Sequence, residues 1–199
     1  YYHKDLGGSN ASSTNTTAAD GNMWLNLAEK NGTTGVDDDG NGYVDDVHGW
    51  DFVNNDNDPL DDHYHGTHTA GTVGAVGNNG EGVAGVAWVV KLAALKGLSC
   101  CGSGLISDMM EAVDYATRMR FTVTNNSWGG GGFSQSFLDS LFAANAAGIG
   151  FVASAGNAAR DTDITPQYPA SYATDNVFSV AASDCFDVHA QFSNYGLTT

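Results

Sequence analysis

Short apolar runs alternate with amphipathic segments through most of this chain, and that alternation narrows the fold more than any other feature. Within residues 83–96 the run Val-Val-Lys-Leu-Ala-Ala-Leu reads as a buried strand, and an amphipathic helix is expected from about Ser107 to Met119. Phe121 to Asn126 reads as a second strand. Ser136 to Ala147 reads as a helix, opened by Ser136 with Asp139 three residues on and closed by Gly148. Ile149 to Ser154 and Val177 to Ala182 are two further strands. Strands that alternate with helices require right-handed crossovers, hence a parallel sheet with helices on both faces. The fold class is α/β. Ligands of such sheets bind at the carboxyl ends of the strands, where Ser127 to Gly130 and Ala155-Gly-Asn157 fall. Before these elements, residues 7–22 are rich in Gly, Ser, Asn and Thr and read as a surface loop, and Met23 to Glu29 as a short helical turn. Trp50, Phe52, Trp88 and Phe137 are assigned to the core.

Composition decides which partners are compatible with this fold. With 199 residues, 42% of them apolar, the chain can bury one substantial core as a single domain. Its 7 Lys and Arg stand against 23 Asp and Glu, a net charge of -16, so nucleic acids and anionic membrane surfaces would repel it. No apolar run reaches the length of a membrane span, and no signal peptide is visible at the Tyr1 end. The acidity is concentrated: residues 37–62 hold ten Asp and no Lys or Arg, a density that calls for a cation. Within that run, Asp-Asp-Asp-Gly-Asn-Gly-Tyr-Val-Asp-Asp resembles the start of an EF-hand calcium loop. The expected calcium ligands are the side chains of Asp37, Asp39 and Asn41, the carbonyl of Tyr43, and a closing carboxylate from Asp46 or Asp45. His48 stands where such a loop places its bidentate Glu, so the closing ligand must come earlier.

Three histidines fall within six positions in His63-Tyr-His-Gly-Thr-His68, followed by small residues that allow close helix packing. A catalytic imidazole must be held rigidly in one tautomer, and His65 suits the first turn of a helix. A zinc site built from His63, His65 and His68 is the competing reading of the same spacing. Cys100 and Cys101 are adjacent and would bridge one another only with strain, which leaves a pair with Cys185 open. Asn10, Asn15, Asn31 and Asn125 each begin an N-glycosylation triplet.

Seven motifs together resemble the subtilisin-like serine proteases, the subtilase family. They are His-Gly-Thr-His-x-Ala-Gly at 65–71, Gly-Val-Ala-Gly-Val-Ala at 82–87, Gly-Ser-Gly at 102–104, Ser-Trp-Gly-Gly at 127–130, Ala-Gly-Asn at 155–157, Tyr-Pro-Ala at 168–170 and Phe-Ser-Asn-Tyr-Gly at 192–196. They run in family order across nearly the whole chain. The resemblance implies a three-layer subtilisin-like fold, with residues 1–199 forming part of one catalytic domain. It implies that His65 is the general base and that the Asn157 side chain donates to the oxyanion. Gly102, Ser103 and Gly104 on one side, and Ser127, Trp128 and Gly129 on the other, would be rims that hold a peptide substrate as an added strand. Pro169 resembles the family's cis-proline beside the primary specificity pocket. A second calcium site is implied in which Asp5 meets residues 77–83, with the side chains of Asp5 and Asn79 and the carbonyls of Gly77, Glu81 and Val83 as ligands.

The family's catalytic Asp belongs to an Asp-Thr-Gly or Asp-Ser-Gly motif that would precede Tyr1, and its nucleophilic Ser to a Gly-Thr-Ser-Met-Ala motif that would follow Thr199. Neither motif is in the chain. The expectation is therefore the central fragment of a secreted, monomeric, calcium-stabilised endopeptidase, inactive by itself. The alternative from a different class is a non-catalytic calcium-binding or peptide-binding module on a protease fold.

Overall fold

A computed structural model describes residues 1–15 and 20–197, and its backbone gathers into two compact units, Tyr1–Ala112 and Val113–Thr199. Residues 16–19 of the expected loop at 7–22 lie outside the described residues.

In the first unit, α1 (Lys4–Gly7), α2 (Leu27–Asn31) and α3 (His65–Gly74) accompany a two-stranded parallel sheet of β1 (Gly49–Asp51) and β2 (Ala94–Lys96). α1 follows His3, whose ring accepts from the Asp5 amide, and α2 follows Asn26, whose side chain accepts from the Ala28 amide. The helix expected at Met23 to Glu29 thus begins later. Met23 instead forms a parallel bridge with Leu92, and the Trp24 amide donates to the Leu92 carbonyl at 2.8 Å. The loop before it is not all surface. Asn22 is buried and donates to the carbonyls of Gly74 and Trp88 at 2.9 and 3.0 Å.

β1 was not anticipated, because three residues carry no periodicity. It is held in register Gly49 to Ala94, Trp50 to Leu95 and Asp51 to Lys96. At Gly49, φ is +121° and a Cβ would collide with the Ala94 carbonyl oxygen, so only glycine permits this approach. An ion pair across the two strands joins the Lys96 ammonium to buried Asp51 at 2.7 Å, with Asp62 at 3.4 Å. Burial, the largest single influence, would lower the Lys96 pKa, but the hydrogen bonds and negative charges of Asp51 and Asp62 together more than offset it and raise it. The other Asp51 oxygen accepts from the amides of Val53 and Asn54.

The strand expected over Val83 to Lys96 shrinks to Ala94–Lys96, and it is half-buried. Val86, Trp88 and Val89 are 88%, 55% and 93% exposed, so Trp88 is not core. An apolar run is ambiguous alone, and here its backbone serves the α3 turn through Val86 and Ala87 amides bound to the carbonyls of Thr72 and Val73.

α4 (Ile106–Arg118) matches the expected amphipathic helix and buries Met109, Val113, Tyr115 and Ala116. In the second unit, β3 (Val123–Asn126), β4 (Gly150–Ser154) and β5 (Val177–Val180) form a parallel sheet in the order β3-β4-β5. β5 is shorter than expected, with Phe178 and Val180 more than half exposed. Between β3 and β4 runs α5 (Gln135–Ala146). Its cap is Ser134, whose hydroxyl accepts from the Phe137 amide, and not Ser136, which lies one residue inside the helix. Two serines two residues apart look equivalent in sequence; the Tyr172 hydroxyl, which accepts from the Ser134 amide at 3.0 Å, selects the first. Gly148 ends the helix at φ +78°, as expected, its amide bound to the Asn145 carbonyl. The unit's core is aromatic and aliphatic: Phe137, Leu141 and Phe151 are fully buried, with Tyr172 against them.

Candidate functional site

His65 is the first residue of α3 and is exposed. Tyr64, at the cap position, is left-handed at φ 69° and gives no side-chain cap. Asp61 supplies it instead, accepting from the Thr67 amide and hydroxyl at 2.6 Å each and from the His63 amide at 3.0 Å. Burial pushes the Asp61 carboxyl up, and the bonds from Thr67, His63 and Tyr64 outweigh it, so its pKa is lowered. The carboxylate stays charged at the positive end of the helix and fixes the turn that carries His65. The signal for Asp61 was an acidic residue just upstream of the His motif, hidden in an Asp-rich run. His63 stacks on Tyr64, with ring centroids 4.7 Å apart. The three histidines do not gather as ligands: among the described residues, the one group of His, Cys, Asp or Glu side chains close enough to share an ion lies elsewhere. Behind His65 the helix packs through its small residues, Val90 and Leu92 filling the space where Gly74 has no side chain.

Gly102, Ser103 and Gly104 are exposed and follow a turn closed by the Gly102 amide on the Ser99 carbonyl at 2.8 Å. In the second unit, Ser127 lies just past the end of β3 and Asn157 past the end of β4. Both line a shallow groove of about 270 Å³ at the carboxyl ends of the parallel strands, with Asn125, Ser154 and Gly156. Asn125 donates to the Ser127 hydroxyl at 3.0 Å, while the Trp128 indole donates to Asn126 at 3.2 Å and packs edge-on against Phe137. The Gly130 amide donates to the Tyr168 carbonyl, and the Tyr168-Pro169 bond is cis.

Asn157 is exposed, and the loop beneath it is fixed by a residue the sequence reading left without a role. Asn194, fully buried, donates its side-chain amide to the Ala155 carbonyl at 2.7 Å. Its side-chain oxygen accepts from the amides of Ala158 and Arg160, and its own amide donates to Gly156. These four bonds bracket Asn157 on both sides. Gly156 sits at φ +102°, where a Cβ would press on the Asn194 amide. The signal was present in Phe-Ser-Asn-Tyr-Gly, but a sequence does not say which loop a distant Asn will bind.

The acidic loop folds around Glu29, Asp37 and Asp39, whose carboxylate oxygens lie within 4.8 Å of one another. Asp37 accepts from the amides of Gly42, Gly40 and Asn41, and chiefly the Gly42 bond lowers its pKa. Glu29, buried on α2, accepts from the amides of Asp38, Asp39 and Asp45. The sequence reading missed Glu29, which lies outside the acidic run. Asp46 is fully buried, and its two oxygens accept from the side-chain amides of Asn26 and Asn41. The Asn41 side-chain oxygen accepts from the Tyr43 amide. Clustered carboxylates with an all-oxygen donor set suit a hard divalent cation, so this cluster could hold a metal ion.

Asp5 does meet the loop at 77–83: its oxygens accept from the Asn79 side chain at 2.9 Å and from the Val83 amide at 2.8 Å. The Asn79 oxygen accepts from the Glu81 amide, and Gly77 lies against the Trp88 ring.

The Subtilase family profile matches residues 7–199. The chain belongs to the subtilase family. Subtilisin-like protease 1 of Plasmodium vivax is 44% identical over 140 residues, which is 70% of this chain and 22% of the relative. A thermophilic serine proteinase of Bacillus sp. (strain AK1) is 40% identical over 150 residues, 75% of this chain and 36% of the relative. A cold-adapted subtilisin-like serine proteinase of known structure superposes with a TM-score of 0.63 at 34% identity, covering 76% of this chain and 52% of that one. The subtilase chain thus spans about a quarter to a half of the relatives it matches. Its fold is the α/β fold of subtilisin-like proteins. No described helix is long and apolar enough to cross a membrane.

Proposed function

We propose that this chain carries part of the catalytic apparatus of a serine endopeptidase that cleaves extended peptide segments. His65 takes the proton of the nucleophilic hydroxyl as it attacks the scissile carbonyl, then returns it to the leaving amine. Asn157 donates its side-chain amide to the oxygen that becomes negatively charged. The carrying observation is the groove at the strand ends, where buried Asn194 pins the backbone on both sides of Asn157. A donor held in advance needs no reorganisation as charge develops, which is what makes an oxyanion donor effective. Gly102 to Gly104 and Ser127 to Gly129 bind the peptide backbone as an added strand, with glycines allowing close approach.

Replacing Asn157 by leucine in the full-length protease is expected to lower kcat about 10²–10³-fold with little change in KM, the magnitude known from subtilisin itself. Peptide hydrolysis under saturating substrate measures it, and a loss confined to KM would rule out the oxyanion role.

The cluster of Glu29, Asp37 and Asp39 holds calcium, with Asn41, the Tyr43 carbonyl and Asp46 around it, and Asp5 with Gly77, Asn79, Glu81 and Val83 holds a second ion. Bound calcium would supply a charge that relieves the mutual repulsion of these carboxylates. Calcium at 100 times its Kd is expected to stabilise the fold by about 2.7 kcal/mol. Thermal unfolding with calcium and with chelator measures this; an Asp37→Ala variant with an undiminished calcium response would remove the loop from the assignment. The acidic surface and calcium loops suit a secreted, monomeric protein.

A further inference from the structure

Neighbouring side chains on an extended chain point to opposite faces, which keeps adjacent cysteine sulfurs apart. Cys100 and Cys101 do not follow that rule: their sulfurs lie 3.7 Å apart, within hydrogen-bonding reach of one another. The cause is the turn from Ser99 to Gly102, which places both cysteines at its two central positions. The turn is tied further by Ser99, whose amide and hydroxyl both donate to the Ser103 carbonyl at 2.8 Å. Both thiols are exposed, and both are free.

We propose that Cys100 and Cys101 form a reversible dithiol modification site for small-molecule disulfides, closing to a vicinal disulfide at the tip of this turn. The thiolate of one cysteine attacks the reagent, RSSR, forming a mixed disulfide and releasing one thiolate, RS⁻. The neighbouring thiolate then attacks the protein sulfur of that mixed disulfide and expels the second RS⁻. The two cysteines are oxidised, the reagent is reduced to two thiolates, and the two cysteine protons pass to solvent. The hydrogen bond to Cys101, with Asp62 nearby, pushes the Cys100 thiol up, so exchange proceeds in mildly alkaline buffer. Adjacent Cα atoms are about 3.8 Å apart, below the usual span of a disulfide, so the closed ring is strained and readily reduced. Such a bridge is reversible under mild thiol, unlike a structural one. The site stands apart from the substrate-binding reading, although it adjoins Gly102.

The test uses 5,5′-dithiobis(2-nitrobenzoate) on the full chain, with Cys185 as an internal control. After a small excess of reagent at mildly alkaline pH, peptide mass mapping should find the thionitrobenzoate adduct retained on Cys185. Cys100 and Cys101 should carry none, their shared peptide lacking two hydrogens, and dithiothreitol should restore it. Cys100→Ser and Cys101→Ser should each leave a stable adduct on the remaining neighbour. Adducts retained on both cysteines of the unsubstituted chain would overturn the proposal, as would a bridge to Cys185. Closure should also be slower in guanidinium, where the turn is lost; equal rates would overturn the role given to the turn.

Discussion

Replacing His65 with alanine in the full-length protease should lower kcat by about 10⁶ while leaving KM nearly unchanged, the size of loss known for the corresponding base of subtilisin itself. The imidazole moves a proton only as the transition state forms, so it contributes to kcat and little to substrate binding. His63 and His68 provide the contrast. His63 is stacked on Tyr64 and His68 lies on the exposed face of α3, so alanine at either position should leave kcat of the same order. Steady-state hydrolysis of a peptide by the three variants decides it. A loss at His65 below about 10²-fold would be too small for a general base. Equal losses at all three would point to a shared ligand role.

Replacing Phe137 with alanine should destabilise the chain by about 3–5 kcal/mol, a large part of the 5–15 kcal/mol typical of whole proteins. Phe137 is fully buried, stacked on Tyr172 at 5.5 Å and edge-on to Trp128 and Phe151 at 5.9 and 6.1 Å. Removing the ring opens a cavity that three rigid neighbours cannot close, since each is anchored elsewhere. Tyr172 bonds to Ser134, Trp128 to Asn126, and Phe151 belongs to the central strand. Urea unfolding measures the change, and Trp128 emission should shift to longer wavelength as its apolar partner is lost. Leucine at the same position keeps most of the volume and should cost under about 1.5 kcal/mol if the neighbours repack. A loss below 1 kcal/mol for alanine would mean that this cluster does not hold the second unit together.

The sequence by itself determined the fold class, α4 and the positions of β3, β4 and β5, because these rest on periodicity and on apolar runs that the backbone must pair. It also determined the family, through motifs whose order along the chain does not depend on any contact. It identified Gly148 as a helix end, because a left-handed residue after a helix is a local matter. Where two local solutions were nearly equal, it could not choose: Ser134 and Ser136 offer the same hydroxyl, and only the Tyr172 hydroxyl, 38 residues away in the chain, selects between them. The run at 83–96 was apolar enough for a strand, yet only Ala94–Lys96 forms one, while the amides of Val86 and Ala87 are bound by carbonyls of α3.

The tertiary structure alone decided which side chains surround the proposed functional groups. Asn194 reaches the Ala155–Arg160 loop, Asp61 caps the helix of His65, and Glu29 joins Asp37 and Asp39. The physical reason is common to all three. Each meets buried or clustered polar groups whose desolvation must be compensated, and the compensating partner is chosen by proximity in space, which the order of residues does not encode.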